Sequence, residues 1–298
     1  LIIYIKMNKN IIVVNNLTKK YKITDKFALD GIDLKIRQGS IFGLLGPNGA
    51  GKSTFINILA GLVNKTSGEV KVFDLDLDDD PKTIRGNLGV VPQEINIDPF
   101  FTPMQVMNNQ AGMYGIKKKN NLSLEILKNL NLDDKANAYS RSLSGGMKRR
   151  LMVAKAMVHS PPIIILDEPT AGVDVELRNK LWEYIRKLNK AGTTIILTTH
   201  YLKEAEILCD ELAVINKGKV IACDKKKNIL SLLDEKYLIL EFENTDFKVP
   251  ERLKKYCIKK TKNSIELKFN KSENSVTNLV KIFEKAKFKI KDISTKDS

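Results

Sequence analysis

Two early segments of the chain, Ile11–Leu17 and Ile32–Ile36, have the apolar and polar pattern of half-buried β-strands. A third segment, Gly68–Asp76 ("GEVKVFDLD"), alternates apolar and polar residues over most of its length. Such alternation is typical of a sheet that buries one face against a core. The N-terminal part of the chain is therefore predicted to contain an antiparallel sheet.

Beyond residue 40, short apolar runs alternate with longer amphipathic segments. The runs predict buried strands, whereas the longer segments have the period of helices. Strands that alternate with helices indicate an α/β fold, in which a parallel sheet carries helices on both faces. The predicted strands are Ser40–Gly46, Leu88–Gln93, Ile163–Leu166, Thr193–Thr198 and Glu211–Asn216, and the predicted helices are Ser53–Leu62, Gly146–Val158, Val175–Lys190 and Leu202–Cys209.

Changes in this pattern divide the chain into a main domain, residues 11–224, and a small α/β domain, residues 225–298. Within the main domain, residues 98–143 form a helical insert, and Thr102-Pro103 offers a capping residue and a proline for the first turn of a helix. Residues 1–10 are interpreted as an N-terminal extension in which Met7 is the expected natural start. The last few residues are expected to be disordered.

Composition narrows the possible chemistry. The chain has 298 residues and a net charge of +15. Its two histidines, His159 and His200, are too few for a histidine-rich metal site. The cysteines form no CxxC pair, and the longest apolar runs are far too short to span a membrane. The positive charge is compatible with binding to nucleic acid, with binding to the acidic face of a membrane, or with lysines that are simply solvated. No aromatic residues interleave with the lysines in an RNA-binding pattern, so no nucleic-acid partner is expected.

The segment "GPNGAGKST" matches the phosphate-loop pattern G-x-x-x-x-G-K-[ST] between a predicted strand and a predicted helix. Glycines allow a tight turn in which successive N–H groups face one anion, and the helix adds its positive N-terminal end. Lys52 would reach the β- and γ-phosphates, and the Ser53 hydroxyl would bind Mg²⁺. The predicted nucleotide-binding residues of the loop are Gly46, Pro47, Asn48, Gly49, Ala50, Gly51, Lys52, Ser53 and Thr54.

Two acids follow the apolar run "IIIL", at the carboxyl end of a predicted buried strand. Ligands of open parallel sheets bind at this edge, so Asp167 is predicted to hold Mg²⁺. Glu168 would polarise the water that attacks the γ-phosphate. The alternative, two acids that only cap a strand and meet solvent, is weakened by the nearby phosphate loop.

A second glycine turn, "LSGGMKRR", places Ser144, Gly145 and Gly146 at the start of a helix. A hydroxyl and unpaired N–H groups at the start of a helix favour the binding of an anion. Since the chain already has one phosphate loop, this turn suggests a site completed by another subunit. A capped helix with a flexible lead-in is the alternative, and Lys148, Arg149 and Arg150 are equally compatible with a solvated helix face.

Six elements in order make the chain similar to the ATP-binding-cassette (ABC) ATPases, over about Ile11–Asp224. The resemblance implies a P-loop NTPase core with a parallel sheet, an antiparallel β subdomain and a helical subdomain. Met147 replaces the usual signature glutamine, which leaves the amide contacts of that residue in doubt. The six elements are the phosphate loop Gly46–Thr54, the glutamine loop at Gln93, the signature Leu143–Gly146, the Walker B strand Ile163–Glu168, the D-loop Ala171–Asp174 and the histidine switch His200.

The resemblance also assigns roles at the nucleotide. Tyr21 would stack on adenine, with a surface tyrosine as the alternative. Gln93 would be a ligand of Mg²⁺ and water and would sense a membrane partner. His200 would hydrogen-bond the γ-phosphate and hold the water that Glu168 polarises. The catalytic residues are thus predicted to be Lys52, Gln93, Glu168 and His200, and the metal ligands Ser53, Gln93 and Asp167.

The family further implies ATP and Mg²⁺ as cofactors and a homodimer that sandwiches two ATP molecules. Ser144, Gly145 and Gly146 would bind the γ-phosphate held by the other copy, and Asp174 would lie at the dimer interface. "LSGGMKRRL" and the C-terminal α/β domain resemble ATPases of the ABC-2 exporter class. The expected partner is a separate transmembrane permease that docks on the helical insert, near "PFFTPMQVM", at the cytoplasmic face of the membrane.

The alternatives are an importer subunit, a non-transport ATPase and a regulator without turnover. The alternative for "PFFTPMQVM" is that these residues form the insert's own core.

Overall fold

Two units make up the chain, Leu1–Lys226 and Lys227–Ser298. The structure is a computed structural model that describes residues 10–22, 26–170, 173, 175–233, 235–243, 249–270, 274–286 and 288–297. The N-terminal extension predicted for residues 1–10, including Met7, lies outside the described residues up to residue 9.

The strands of the first unit are β1 (Asn10–Lys20), β2 (Phe27–Arg37), β3 (Ile41–Leu45), β4 (Ser67–Val72), β5 (Leu75–Asp76), β6 (Leu88–Val91), β7 (Ile163–Asp167), β8 (Thr194–Thr199), β9 (Glu211–Asn216) and β10 (Lys219–Lys225). Its helices are α1 (Lys52–Leu59), α2 (Pro81–Gly86), α3 (Pro103–Met113), α4 (Ser123–Asn129), α5 (Gly145–Met157), α6 (Val175–Lys190) and α7 (Leu202–Leu208). Short 3₁₀ turns lie at Lys118–Asn120, Asp133–Lys135 and Ser140–Ser142.

The central sheet of this unit has the strand order β10-β9-β3-β8-β7-β6. Its pairs are parallel from β9 to β6, and β10 adds an antiparallel edge. Every residue of β3, β7 and β8 is buried, which explains the continuous apolar run of β3, the run "IIIL" of β7 and the run "IIL" within β8. The parallel direction brings the carboxyl ends of β3, β6, β7 and β8 to one edge of the sheet.

The strand β10 was not predicted, and the predicted domain boundary at residue 225 falls at its last residue. It pairs with β9 through a two-residue turn at Lys217 and Gly218, which both have positive φ. Two such residues are typical of a type I′ hairpin. The "NKGK" sequence at residues 216–219 was the available signal.

The antiparallel sheet has the order β2-β1-β4-β5, and its alternate residues enter a core shared with the central sheet. Residues 98–143 contain α3, α4 and the three 3₁₀ turns. At the start of α3, the Thr102 side chain accepts a hydrogen bond from Gln105 N at 3.2 Å, and Gln105 Oε1 accepts from Thr102 N at 2.9 Å. This capping box explains the helix start at Pro103.

The helix α8 (Lys226–Leu233) begins at the last residue of the first unit, and the second unit further contains β11 (Glu235–Phe242), β12 (Cys257–Lys260), β13 (Ser264–Asn270), α9 (Val276–Lys285) and β14 (Ile290–Asp297). Its strands form an antiparallel sheet in the order β12-β13-β11-β14. The expectation of disorder at the end of the chain is wrong up to Asp297, because β14 pairs along β11. A core of alternate strand residues and α9 residues, among them Leu240, Phe269 and Phe283, stabilises this unit.

Candidate active site

The phosphate loop follows β3 directly and leads into α1, and Pro47, Asn48 and Gly49 are exposed at its crest. A Cβ on Gly46 would lie 2.2 Å from the carbonyl oxygen of Ile215, so the loop passes too close to β9 for any side chain. Gly51, the residue before α1, has a φ of 111°, in the region that favours glycine. Packing and backbone conformation therefore both demand glycine at these two positions.

The remaining loop residues differ in burial. Ala50 is 3% exposed and closes the loop against the core, whereas Ser53 and Thr54 are half-buried on the first turn of α1. Lys52 is 5% exposed, and its Nζ donates to the carbonyl oxygens of Gly46 at 2.7 Å and Pro47 at 3.1 Å. The ammonium group thus lies inside the curve of the loop.

Asp167 ends β7, and Glu168 follows it with a φ of 48°. For a non-glycine residue this left-handed conformation costs about 1–2 kcal/mol, so neighbouring groups must hold it. One of them is the Thr198 hydroxyl, which donates to Asp167 Oδ1 and accepts from Glu168 N at 3.0 Å. A single hydroxyl on β8 thereby fixes both acids.

Three side chains from other elements contact the Glu168 carboxylate, which is buried at 7% exposure. Gln93 Nε2 donates to Oε2 at 3.3 Å, and His200 Nδ1 lies 3.1 Å from Oε1. Because a carboxylate oxygen only accepts, Nδ1 carries the proton of this contact. Lys52 Nζ lies 3.7 Å from Oε1. All four residues predicted to be catalytic therefore meet at one carboxylate.

Arg149 was missed as a site residue, and the solvated face suggested for the basic residues of α5 is wrong for Arg149 and Arg150. They are 2% and 6% exposed. The helix is buried on nearly all sides from Arg149 onward, and the apolar segment "LMVA" that follows was the available signal. Lys148 is half-buried.

The Arg149 guanidinium donates only to backbone carbonyl oxygens around the site. They belong to Pro92, Gln93, Asp167, Glu168 and Pro169. Burial lowers the pKa of Arg149, and the charges of Asp167, Glu168 and Glu204 oppose that shift.

The residues predicted to bind Mg²⁺ offer a hydroxyl, an amide oxygen and a carboxylate, from Ser53, Gln93 and Asp167. Such hard oxygen donors suit Mg²⁺. Among the described residues, no group of three or more histidines, cysteines and acids could hold a metal by itself. The donor set therefore fits an ion that completes its shell with phosphate oxygens and water rather than one held in a protein cage.

Comparison with known proteins decides the family. The ABC transporter profile matches residues 29–171. The Nod factor export ATP-binding protein I of Ralstonia nicotianae is 39% identical over 226 residues, covering 74% of this chain and 69% of the relative. The linearmycin resistance ATP-binding protein LnrL of Bacillus subtilis is 38% identical over 223 residues, covering 73% of this chain and 70% of the relative.

A dimeric structure of the ATP-binding cassette MJ0796 in a post-hydrolysis state, bound to ADP and Pi, superposes with a TM-score of 0.65. The two chains are 31% identical, and the match covers 72% of this chain and 98% of that one. This chain belongs to the ATP-binding subunits of ABC transporters. The predicted fold class is confirmed, and so is ATP hydrolysis as the activity.

The signature turn of this ABC ATPase lies at the start of α5, where Ser144 and Gly145 are exposed. The Ser144 hydroxyl accepts a hydrogen bond from Met147 N at 3.3 Å and so caps its own helix. A Cβ on Gly145 would meet nothing within 4 Å. The fold of this chain therefore gives no steric reason for glycine at that position.

Two further predicted contacts of the ABC ATPase involve Tyr21 and Asp174. Tyr21 is 38% exposed just after β1, with Lys19 Nζ 4.9 Å from the centre of its ring. An exposed ring of this kind is available for stacking. Asp174, predicted at the dimer interface, lies outside the described residues.

Within the described part of the chain, the search for a helix long and apolar enough to cross a membrane finds none.

Proposed function

We propose that this ABC ATPase powers an ABC-2 type exporter as a homodimer that closes on two ATP molecules and drives a separate membrane permease. The observation that carries the proposal is the convergence of Lys52, Gln93 and His200 on the Glu168 carboxylate. The export class is supported by the similar proteins, whose names refer to Nod factor export and linearmycin resistance.

In the proposed reaction, Glu168 is the general base that polarises the attacking water. His200 and Gln93 reach the same carboxylate from two different loops, so they orient that water and, for His200, the γ-phosphate. Lys52 lies between the loop carbonyls and Glu168, where its ammonium would meet the β- and γ-phosphates. The fold of the chain therefore already places each of these groups where the proposed reaction needs it.

The loop Gly46–Thr54 would bind the phosphates through its backbone N–H groups, and Tyr21 would stack on the adenine. Ser53, Gln93 and Asp167 would hold Mg²⁺. When bound, this ion neutralises charge that develops on the phosphate oxygens. Thr198 keeps the Asp167 carboxylate in place for this role.

The direct test is Glu168→Gln, with Glu206→Gln as a control on the exposed side of α7. Loss of a positioned general base should lower kcat by about 10²- to 10⁴-fold. The variant should also persist as an ATP-bound dimer in size-exclusion chromatography, whereas the control should match wild type. Normal hydrolysis by Glu168→Gln would remove Glu168 from the assigned role.

The second copy would supply Ser144, Gly145, Gly146 and Asp174 to each ATP. Nothing in the chain itself crowds Gly145, at the first position of α5. We attribute this glycine to the close approach of a nucleotide on the partner. The similar cassette that is dimeric and bound to ADP and Pi supports a dimeric assembly.

Mixing two inactive variants tests this arrangement. Lys52→Ala removes a phosphate-loop cation, and Ser144→Arg blocks the signature turn. If each site takes its loop from one copy and its signature from the other, a mixed dimer keeps one intact site. Half of the dimers in an equal mixture are mixed, so about a quarter of wild-type activity should return. No recovery, with mixed dimers demonstrated by affinity tags, would contradict a site shared between copies.

The permease is proposed to dock beside the helical insert. Leu62, Phe100 and Met113 are 72%, 69% and 81% exposed, although they are large and apolar. Nearby, the Tyr114 and His159 rings stack at 3.7 Å and line a groove between the insert and the central sheet. An exposed apolar groove of this kind suits a short cytoplasmic helix of a membrane protein. The ATPase would then lie peripherally on the cytoplasmic face of the membrane.

Co-purification from native membranes tests the docking. Met113→Glu should lose a multispan membrane partner while the isolated chain keeps its ATPase activity. Leu124→Glu, at a 58% exposed position on α4, is the matched control. Equal recovery of the partner with both variants would place the docking surface elsewhere. A partner that requires a solute-binding protein would indicate import rather than export.

A further inference from the structure

The Arg149 guanidinium uses all five of its N–H groups on five different carbonyl oxygens. Nε donates to Pro169 at 3.1 Å, and Nη1 donates to Pro92 at 2.7 Å and Gln93 at 2.8 Å. Nη2 donates to Asp167 at 2.7 Å and also to Glu168. A guanidinium has five donors in one rigid plane, so this arrangement leaves none of them unused.

These carbonyls lie where the strands leave the sheet. The parallel ladder between β6 and β7 ends at Val91 and Leu166. Beyond that point the backbone turns into the two loops that carry Gln93 and Glu168, where carbonyls that leave this ladder need other donors. One side chain supplies these donors to both loops. The position of one loop relative to the other therefore depends on Arg149.

Arg149 also connects these loops to the signature helix. It lies on α5, whose first residues follow the exposed Ser144. Its neighbour Arg150 is also buried but donates to the carbonyls of Leu130 and Asn131, at the end of α4. The two arginines thus anchor the same helix to different places, Arg149 to the catalytic loops and Arg150 to the end of α4.

We propose that Arg149 is a positioning residue for ATP hydrolysis, which holds the backbones of Gln93, Asp167 and Glu168 in register with each other and with α5. The proposal rests on the catalytic role proposed for Glu168. Arg149 binds no nucleotide atom in this scheme. Its removal should therefore slow the chemical step and leave the affinity for ATP nearly intact.

Arg149→Lys tests the proposal in the full-length chain, and Arg150→Lys is the matched control. Lysine keeps the charge, but its single nitrogen cannot span both loops as the planar fork does. Since a displacement of about 1 Å at a catalytic group costs on the order of 10²-fold in rate, kcat should fall about 10- to 100-fold. KM for ATP and the binding of a fluorescent ATP analogue should change by less than about twofold.

Several results would overturn the proposal. One is a folded Arg149→Lys with the kcat of Arg150→Lys; another is a loss of nucleotide affinity as large as the loss of kcat. If Arg149→Lys fails to fold, Arg149→Gln, which buries no charge, is measured instead. If neither folds where Arg150→Lys does, Arg149 serves folding rather than positioning, and the proposal fails.

Glu168→Gln, measured in parallel, separates the two hypotheses. A slow Glu168→Gln with a fast Arg149→Lys refutes the positioning role alone. A fast Glu168→Gln refutes the proposed general base, and with it the reason for positioning that residue.

Discussion

Replacing Thr198 with valine removes one hydroxyl from the centre of the site and keeps the shape of the side chain. Thr198 is fully buried near the end of β8. Its hydroxyl donates to Asp167 Oδ1 and accepts from Glu168 N at 3.0 Å. Valine is equally branched and suits a strand, so the substitution tests the hydroxyl rather than the packing.

Two contributions set the expected loss of stability. A hydrogen bond to a charged group contributes about 1.5–3 kcal/mol, and leaving the buried Glu168 N–H without its acceptor costs about 1–3 kcal/mol. Because both involve one hydroxyl, they are not fully additive, and we expect a total of about 2–4 kcal/mol. Thr194 is the matched control, since it is buried on the same strand and its hydroxyl accepts a neutral hydrogen bond from Gly39 N at 2.9 Å. Thr194→Val should cost about 1 kcal/mol.

The chain has a single tryptophan, and it lies in the first unit. Urea unfolding followed by Trp182 fluorescence therefore reports this unit and not the C-terminal one. Thr198→Val should lower the urea midpoint two to four times as much as Thr194→Val, by the free energies above. Its kcat should also fall about 10-fold or more, because both acids lose their fixed position. Thr198→Ser, which restores the hydroxyl, should recover most of the rate.

Equal midpoints for Thr198→Val and Thr194→Val, together with a wild-type kcat, would refute this reasoning. That result would mean that the left-handed backbone at Glu168 is maintained without the hydroxyl.

Other predictions concern the loop and the groove. Gly46→Ala should abolish ATP binding, because its Cβ would lie 2.2 Å from Ile215 O. A Cβ on Gly86 would meet nothing within 4 Å, so the control Gly86→Ala should bind ATP normally. Equal binding of ATP by both variants would refute the steric argument. Burial lowers the pKa of His159 below 6.5, so the folded chain binds fewer protons than the unfolded chain below that pH. The stability contributed by neutral His159 is complete above pH 6.5 and is lost as the pH falls toward the lower folded value, by up to about 1.4 kcal/mol per pH unit. Urea unfolding from pH 7.5 to 5.5 should therefore show a steeper loss of stability for wild type than for His159→Gln, and parallel losses would count against a lowered pKa of this half-buried histidine.

Local patterns predicted the elements of the site, because the reasons for them are local. The loop at Gly46–Thr54 needs glycine where the backbone passes β9, and the acids at 167 and 168 follow an apolar run. The meeting of Gln93 and His200 at Glu168 follows from the parallel sheet, since parallel strands end at one edge. Their roles in catalysis remain predictions that the variants above test.

Residues whose environment depends on distant segments were not predicted. Arg149 reads as one of three consecutive basic residues, and only the packed structure shows that carbonyls from two loops surround it. Thr198 reads as an ordinary strand residue. Its role in linking Asp167 and Glu168 depends on the left-handed backbone at Glu168, which no sequence pattern predicted. The strand β14 was missed because polar residues dominate it, and β10 because its apolar segment is short and flanked by charged residues at an exposed edge.

The helix α5 begins after the exposed Ser144 and carries the buried, site-facing Arg149. Ser144 precedes Arg149 by five residues, about 7.5 Å along the helix axis. A helix of this length transmits a displacement of its first turn to the next turn with little bending, because each turn is hydrogen-bonded to the one before it. If a partner's nucleotide draws Ser144 toward it, the helix links this displacement to the guanidinium and so to the carbonyls of Asp167 and Glu168. Each copy's signature turn would then adjust the catalytic base of its own site, so that the two ATP molecules are sensed together.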